Sequence, residues 1–216
     1  MVVPGVGESF VMIVADGIRY AVGSAAGGFL IAWLTGAPLT AVPFLAFAAF
    51  SLYFFRDPER VSPQGPYVLS PADGKVMAVK KDGPGGRTRV SIFLNVFDVH
   101  VNRTPVAGTI TAVDYRRGQF LVASKEAASE DNEQNLVSVR MADGTEVLFK
   151  QIAGLIARRL VFTKRTGDTL AAGERIGLMK FGSRMDVLLG DEWEIQVKPG
   201  MRVEAGTTIL AKRIGA

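Results

Sequence analysis

Apolar and polar positions are distributed very unevenly along the chain. Between Arg19 and Arg56 lie 36 residues without a charge, whereas beyond Arg56 short apolar runs alternate with glycine- and proline-marked turns. One helix over the uncharged run would be about 54 Å long, nearly twice the hydrocarbon thickness of a bilayer. Gly36-Ala37-Pro38 supplies a break, since proline cannot continue a helix and glycine readily turns the chain. The pattern therefore predicts two helices, residues 20–35 and 38–55, within a hydrophobic helical hairpin that occupies residues 1–55. Tyr53, Phe54 and Phe55 stand where the chain would leave lipid, the usual place for interfacial aromatics. A core helix of a soluble domain normally keeps one polar face, and this run has none. A secretory signal fits poorly, because the first 18 residues carry Glu8 and Asp16 but no basic group. Arg19 on one side and Arg56 and Arg60 on the other predict that both ends face the cytoplasm, with the hairpin dipping into or spanning the cell membrane.

The remainder, residues 56–216, reads as a β domain. Runs at 76–80, 88–96, 108–115, 136–141, 145–152, 158–163, 194–198 and 208–213 are rich in β-formers and bounded by turn residues. One short polar helix is expected within 124–135. Two internal similarities sharpen this. Gly167, Leu170, Ala172, Gly173 and Ile176 recur 33 residues later as Gly200, Val203, Ala205, Gly206 and Ile209. The segment Asp73–Val79 recurs 34 residues later as Ala107–Val113. Such turn–strand units resemble those of biotinyl/lipoyl-type barrels, with glycines in the turns and aliphatic residues pointing inward. Two copies are too few for a solenoid. The expectation is a mainly β, compact, pseudo-symmetric barrel or sandwich. Lys180 lacks the sequence context of a biotinylated or lipoylated lysine.

Composition narrows the chemistry. The chain has 216 residues, no cysteine and one histidine, His100. That excludes disulfides, thiolate metal sites, a cysteine nucleophile and a His-rich metal centre. A mean hydropathy of +0.23 is accounted for by the uncharged run. The net charge is +4 with a pI near 9.5, and the basic residues are scattered, with doublets but no long run. This pattern favours an anionic membrane surface or an acidic substrate over nucleic acid.

Three places combine reactive residues with turn chemistry. Ser70-Pro71-Ala72-Asp73-Gly74 sets an aspartate in a turn before a strand. Asn95–Pro105 interleaves Asp98, His100, Asn102 and Arg103 with apolar residues. Phe181-Gly182-Ser183-Arg184-Met185-Asp186 interrupts what should be a smooth hairpin. Each has an ordinary reading: a β-turn, a packing histidine, a Gly-Ser turn. A Gly-Ser peptide in a strained turn can also react with itself. Glycine leaves its carbonyl open to attack by the serine hydroxyl, and the resulting ester can eliminate and hydrolyse to a pyruvoyl group.

With Phe54–Pro58, Ser70–Gly74, Phe97–Arg103, Asn132-Glu133-Gln134-Asn135 and Phe181–Arg184 in this order, residues 50–216 resemble phosphatidylserine decarboxylases of the short bacterial or archaeal branch. The resemblance implies self-cleavage between Gly182 and Ser183, giving a β chain of residues 1–182 and an α chain of residues 183–216. It implies that Ser183 becomes a covalent pyruvoyl cofactor that forms a Schiff base with the substrate, without metal. It further implies catalytic roles for Asp73 and His100, and substrate contacts from Arg103, Asn132 and Glu133. Long forms of the family carry a second histidine where this chain has Arg103, so two routes to cleavage stay open. Either His100 serves both cleavage and decarboxylation, or cleavage relies on Asp73 and strain.

The implied activity is decarboxylation of phosphatidylserine to phosphatidylethanolamine and CO2, with the lipid surface and the two chains of one precursor as partners. The oligomeric state is left open and no nucleic-acid partner is expected. An imidazole, with its ordinary pKa near neutrality, suits reprotonation of the substrate carbanion. The competing readings are a membrane-anchored, non-enzymatic biotinyl-like adaptor and a pyruvoyl decarboxylase of another amine.

Overall fold

The computed structural model describes residues 11–155, 160–180 and 182–215. Arg158, Arg159 and Phe181, used in the sequence reading, lie outside these residues, as do residues 1–10 of the expected hairpin domain. The chain divides into two compact units, residues 1–60 and 61–216.

The first unit is a helical hairpin. Helix α1 (Ala15–Thr35) ends on Gly36, whose φ of 66° puts it in the left-handed conformation of a helix C-cap. A 3-10 turn (Pro38–Ala41) leads into helix α2 (Val42–Phe54). Pro43 sits in the first turn of α2, where its missing N–H costs nothing. The break thus falls where expected. The first helix starts earlier than residue 20, however, because Asp16 and Arg19 pair along it at 3.6 Å. The second is shorter than 38–55 because its first turn is 3-10. The helices run antiparallel, with Tyr20 stacked near Phe55 (ring centroids 5.7 Å) and the Ser24 hydroxyl donating to the Phe44 carbonyl at 2.9 Å. At the open end β1 (Val11–Ile13) pairs antiparallel with β2 (Arg56–Pro58), so both chain ends leave on one side. At 21 residues α1 is about 31 Å long and apolar enough to cross a membrane, whereas α2 is about 20 Å. Trp33 and Leu39 at the tip are 78% and 80% exposed.

The second unit is mainly β. Its strands are β3 (Tyr67–Leu69), β4 (Gly74–Lys80), β5 (Thr88–Leu94), β6 (Val101–Arg103), β7 (Gly108–Arg116), β8 (Gln134–Arg140) and β9 (Glu146–Ile152). They continue with β10 (Leu160–Phe162), β11 (Thr169–Leu170), β12 (Arg175–Met179), β13 (Ser183–Leu189), β14 (Trp193–Ile195), β15 (Arg202–Val203) and β16 (Ile209–Arg213). A curled eight-stranded sheet has the order β11-β7-β8-β9-β13-β5-β4-β15, and two three-stranded sheets have the orders β10-β12-β6 and β14-β16-β3.

These orders are palindromic about the β9–β13 pair. One half is β3, β4, β5, β13, β14, β15 and β16. The other is β6 to β12, inserted whole between β5 and β13. The sequence repeats mark the same symmetry. Gly167 and Gly200 both have φ of 95°, and Gly173 and Gly206 have φ of 76° and 75°. Bulges fall at equivalent places, between Val76 and Ala78 in β4 and between Ile110 and Ala112 in β7.

The apolar core lies between the curled sheet and the two small ones. It includes Val76, Ile92, Ile110, Val137, Phe149, Ile176, Met185, Val187 and Leu210. The expected polar helix is α3 (Ala128–Asp131), one turn within a looped segment. The main departure is β13. Its Gly182-Ser183-Arg184 opening reads locally as a turn, yet Ser183–Leu189 is buried along its whole length and pairs with β5 and β9. Met185, Val187 and Leu189 face the core, while Arg184 and Asp186 alternate with them on the opposite face.

Candidate active site

The two halves are joined by two crossings, β5 to β6 through residues 95–100 and β12 to β13 through residues 180–182. Both carry the singled-out residues. In the first crossing Asp98 accepts the backbone N–H of Asn95 at 2.9 Å and pairs with Arg202. His100 is 2% exposed, and its carbonyl accepts the Met179 N–H at 3.1 Å, which ties this crossing to β12. Its Nδ1 lies 2.9 Å from the Asp98 carbonyl. A carbonyl only accepts, so Nδ1 carries the proton and Nε2 presents a lone pair. That lone pair faces the Gly182 N–H at 3.4 Å.

Gly182 has φ of 67°, a conformation that a side chain would strain. Ser183 follows as the first residue of β13, opposite Leu94, and is fully buried. Its Oγ has no hydrogen-bond partner. An unpaired buried hydroxyl costs about 1–3 kcal/mol, and such an orphan asks for a chemical reason.

The Gly182 carbonyl is held against Gly154. A Cβ built on Gly154 would lie 2.1 Å from that oxygen and 3.2 Å from the Ala123 Cβ. Only glycine allows this approach. The end of β9 that carries Gly154 is itself pinned by Asn132, whose Nδ2 donates to the carbonyls of Ala153 (2.7 Å) and Leu121 (2.9 Å) while its Oδ1 accepts the Leu121 N–H. The Glu133 carbonyl accepts the Ala153 N–H at 2.9 Å. Asn132 and Glu133, expected from the sequence as substrate contacts, fix the backbone beside the Gly182 carbonyl.

Asp73 and Arg103 meet around another turn. Asp73 Oδ1 accepts the Ala205 N–H at 2.8 Å. Arg103 donates to the Gly173 carbonyl at 3.2 Å, and its Cδ lies 2.8 Å from where a Cβ on Gly206 would stand. The structure thus brings His100 to the Gly182 amide, one peptide before Ser183. Asp73 and Arg103 gather at the Ala205-Gly206 turn.

Two features escaped the sequence reading. Behind β13, Arg184 donates to Asp186 (2.7 Å) and Ser91 (2.8 Å), and Ser129 donates to Asp186 at 2.5 Å. Arg89 continues this network to Asp82 and Glu126. Its hydrogen bonds hold both carboxyls below their ordinary range, and the Asp82 and Glu126 hydrogen bonds raise the guanidinium pKa in turn. The network straps the 125–130 segment over the outer face of β13. The period-two alternation of charge with Met185 and Val187 was its only sequence signal. The second feature is a row of buried amides. Asn135 donates to Gln151 (3.1 Å), and Gln151 donates to Asn102 (2.9 Å).

An aliphatic-cored barrel with an imidazole aimed at a serine-bearing turn is built for chemistry, and comparison with known proteins gives its class: the chain is an enzyme, a carboxy-lyase. The family model described as phosphatidylserine decarboxylase matches residues 47–211. This chain belongs to that family. A protein of Solibacter usitatus named phosphatidylserine decarboxylase proenzyme is 65% identical over 202 residues, covering 94% of this chain and 97% of that protein. Proteins of the same name from Ruegeria pomeroyi and Salinibacter ruber are 49% and 46% identical, covering 74% and 84% of this chain and 77% and 83% of their own lengths. Family membership sets aside the reading as a non-enzymatic adaptor.

Proposed function

We propose that this chain is a precursor that cuts itself between Gly182 and Ser183, and that the matured protein decarboxylates phosphatidylserine to phosphatidylethanolamine and CO2 at a pyruvoyl group made from Ser183. The observation that carries this reading is the buried, partnerless Ser183 hydroxyl beside a left-handed Gly182 whose amide faces the lone pair of the chain's single imidazole.

Cleavage follows from these groups. For the Ser183 Oγ to add to the Gly182 carbonyl carbon, His100 Nε2 must exchange the Gly182 N–H for the Ser183 hydroxyl and take its proton. The C–N bond breaks, the proton passes to the departing Ser183 nitrogen, and an ester results. Loss of the Ser183 α-proton expels the Gly182 carboxylate and leaves dehydroalanine, whose imine tautomer takes up water and releases ammonia. With Arg103 at the second histidine position of the long forms, His100 serves as the base here, while Asp73 holds the Ala205 turn.

The surroundings fit a ketone at position 183. The position is buried, and Ser183 pairs with Leu94 of β5, so the new terminus would stay in the sheet. When formed, a pyruvoyl group supplies an electrophile for the substrate amine and an electron sink for loss of the carboxylate. His100 then returns a proton from Nε2 to the carbon that has lost CO2. Scattered basic residues suit the lipid phosphate, and the exposed apolar hairpin suits residence at the cytoplasmic face of the cell membrane.

Denaturing electrophoresis with mass analysis tests the reading. The wild type should give two chains, the smaller being residues 183–216 with a blocked terminus, and Ser183→Ala should stay whole and inactive. His100→Ala should remain uncut; a cut His100→Ala variant whose decarboxylation rate falls by about 10²–10⁴ would remove His100 from the cleavage step and leave it only the decarboxylation. An active, uncut wild type or a cut Ser183→Ala would overturn the proposal.

A further inference from the structure

Among the described residues three buried side-chain polar atoms have no hydrogen-bond partner: Ser183 Oγ, Asn102 Nδ2 and Trp193 Nε1. The first belongs to the cleavage turn. The second lies two residues beyond His100 and is just as deeply buried, Asn102 being 0% exposed. Strand β6 pairs with β12, and the Met179 N–H on the His100 carbonyl carries that pairing back to His100, so His100 and Asn102, two apart, share a face.

The free end of this amide is dictated by a relay. Asn135 and Gln151 are paired residues of β8 and β9, and Gln151 pairs with Met185 of β13. Residues opposite one another in an antiparallel ladder share a face, so Gln151 points into the core beside Met185. Ser183 lies on that same face of β13, one diagonal step from Gln151 and within reach of a side chain. The Asn135 amine occupies the Gln151 Oε1, which turns the Gln151 amine toward Asn102 Oδ1 and, at 3.5 Å, the Val161 carbonyl. Asn102 is left presenting N–H into the interior. The relay has one loose end, and it is a donor two residues from His100.

Resting on the proposed function, we infer that Asn102 Nδ2 is the donor that receives the carboxylate of the serine headgroup. Carboxylate fits better than phosphate, because the donor is two residues from His100 and joined through Gln151 to the strand that carries Ser183, and the carboxylate is bonded to the reacting carbon. A neutral amide also suits a group that must lose its charge on leaving. An arginine there would hold the ground state as strongly as it orients it, without gain in rate. The relay fixes the donor's direction, as preorganisation requires.

Asn102→Ala, and Asn102→Asp with the same shape but a repelling carboxylate, would be assayed on phosphatidylserine in mixed micelles, with phosphatidylethanolamine as product inhibitor. Both variants should still cut. KM for phosphatidylserine should rise in Asn102→Ala by roughly 10- to 150-fold, the scale of a hydrogen bond to a charged group, and further in Asn102→Asp. Inhibition by phosphatidylethanolamine, which has the phosphate but no carboxylate, should be unchanged. Wild-type KM in both variants overturns the inference. So does an equal loss for the product, which would assign the donor to the phosphate, or failure of both variants to cut, which would assign it to building the site. If the wild type itself neither cuts nor decarboxylates, the functional proposal falls instead.

Discussion

Gly154→Ala tests the geometry of cleavage without touching a reacting group. The added methyl would stand 2.1 Å from the Gly182 carbonyl oxygen, and such carbons essentially never approach closer than 3.0 Å, so the pair must separate by about 0.9 Å. Retreat of the methyl is blocked on another side by the Ala123 Cβ at 3.2 Å, and the Asn132 clamp on Ala153 resists movement of the β9 end. The carbonyl must therefore yield, and it is the group that the proposed cleavage has Ser183 attack. A misplacement near 1 Å in a reacting geometry costs on the order of 10²-fold in rate. Overpacking itself should cost about 1–3 kcal/mol of stability. The two effects separate in a Ser183→Ala background, where thermal melts of the single and double variants report packing alone. Cleavage would be followed by denaturing electrophoresis of freshly translated precursor. A hundredfold slower appearance of the small chain, with a folded melt, is expected. Wild-type cleavage kinetics in Gly154→Ala would refute the claim that this contact positions the scissile carbonyl.

The remaining predictions concern other parts of the molecule. Asp186→Ala leaves the buried Arg184 guanidinium without its carboxylate and should destabilise the second unit by about 3–5 kcal/mol in a denaturant melt, whereas Lys81→Ala, at an exposed ion pair with Asp191, should change stability by less than about 1 kcal/mol. Deleting residues 1–50 should release the protein from membranes yet leave cleavage intact. Activity should then drop most on vesicle-held substrate and least on a dispersed short-chain analogue. High salt alone should not extract the intact protein, whereas detergent should; quantitative release by salt would mean that the hairpin is not held by its apolar surface.

The architecture was legible where one signal spoke alone. The uncharged run and Gly36-Pro38 gave the hairpin, and the paired glycines at 167 and 200 and at 173 and 206 gave the pseudo-symmetry. What stayed hidden was strand β13, because Arg184 and Asp186 read as solvated turn residues until Ser91 and Ser129 are brought to them from 93 and 57 positions away. For the same reason Gln151 and Asn102, 49 residues apart, showed nothing in sequence of the amide row they form. His100 and Ser183 could be singled out, but not the tautomer fixed by the Asp98 carbonyl nor the packing of Gly154 on the Gly182 carbonyl. Local pattern reports elements; polar partners come from the topology.

The insertion of one half within the other has a consequence for how such a molecule can be made. The proposed cut lies at the seam where the inner half rejoins the outer one. The resulting 34-residue piece carries β13, β14, β15 and β16, and its only pairing with itself is β14 with β16. The central β13 is clasped by β5 and β9, while β15 and β16 lie on β4 and β3, all from the other piece. So short a chain has too little core to fold alone. Before the cut, assembly is an intramolecular search; afterwards it depends on two molecules meeting. If the chain is cut as proposed, the precursor has to reach its final shape first, since that shape brings His100 to Gly182, and the cut protein would get a single opportunity to fold. Once unfolded it should recover poorly and in a concentration-dependent way, which makes its persistence a matter of unfolding rate rather than of equilibrium.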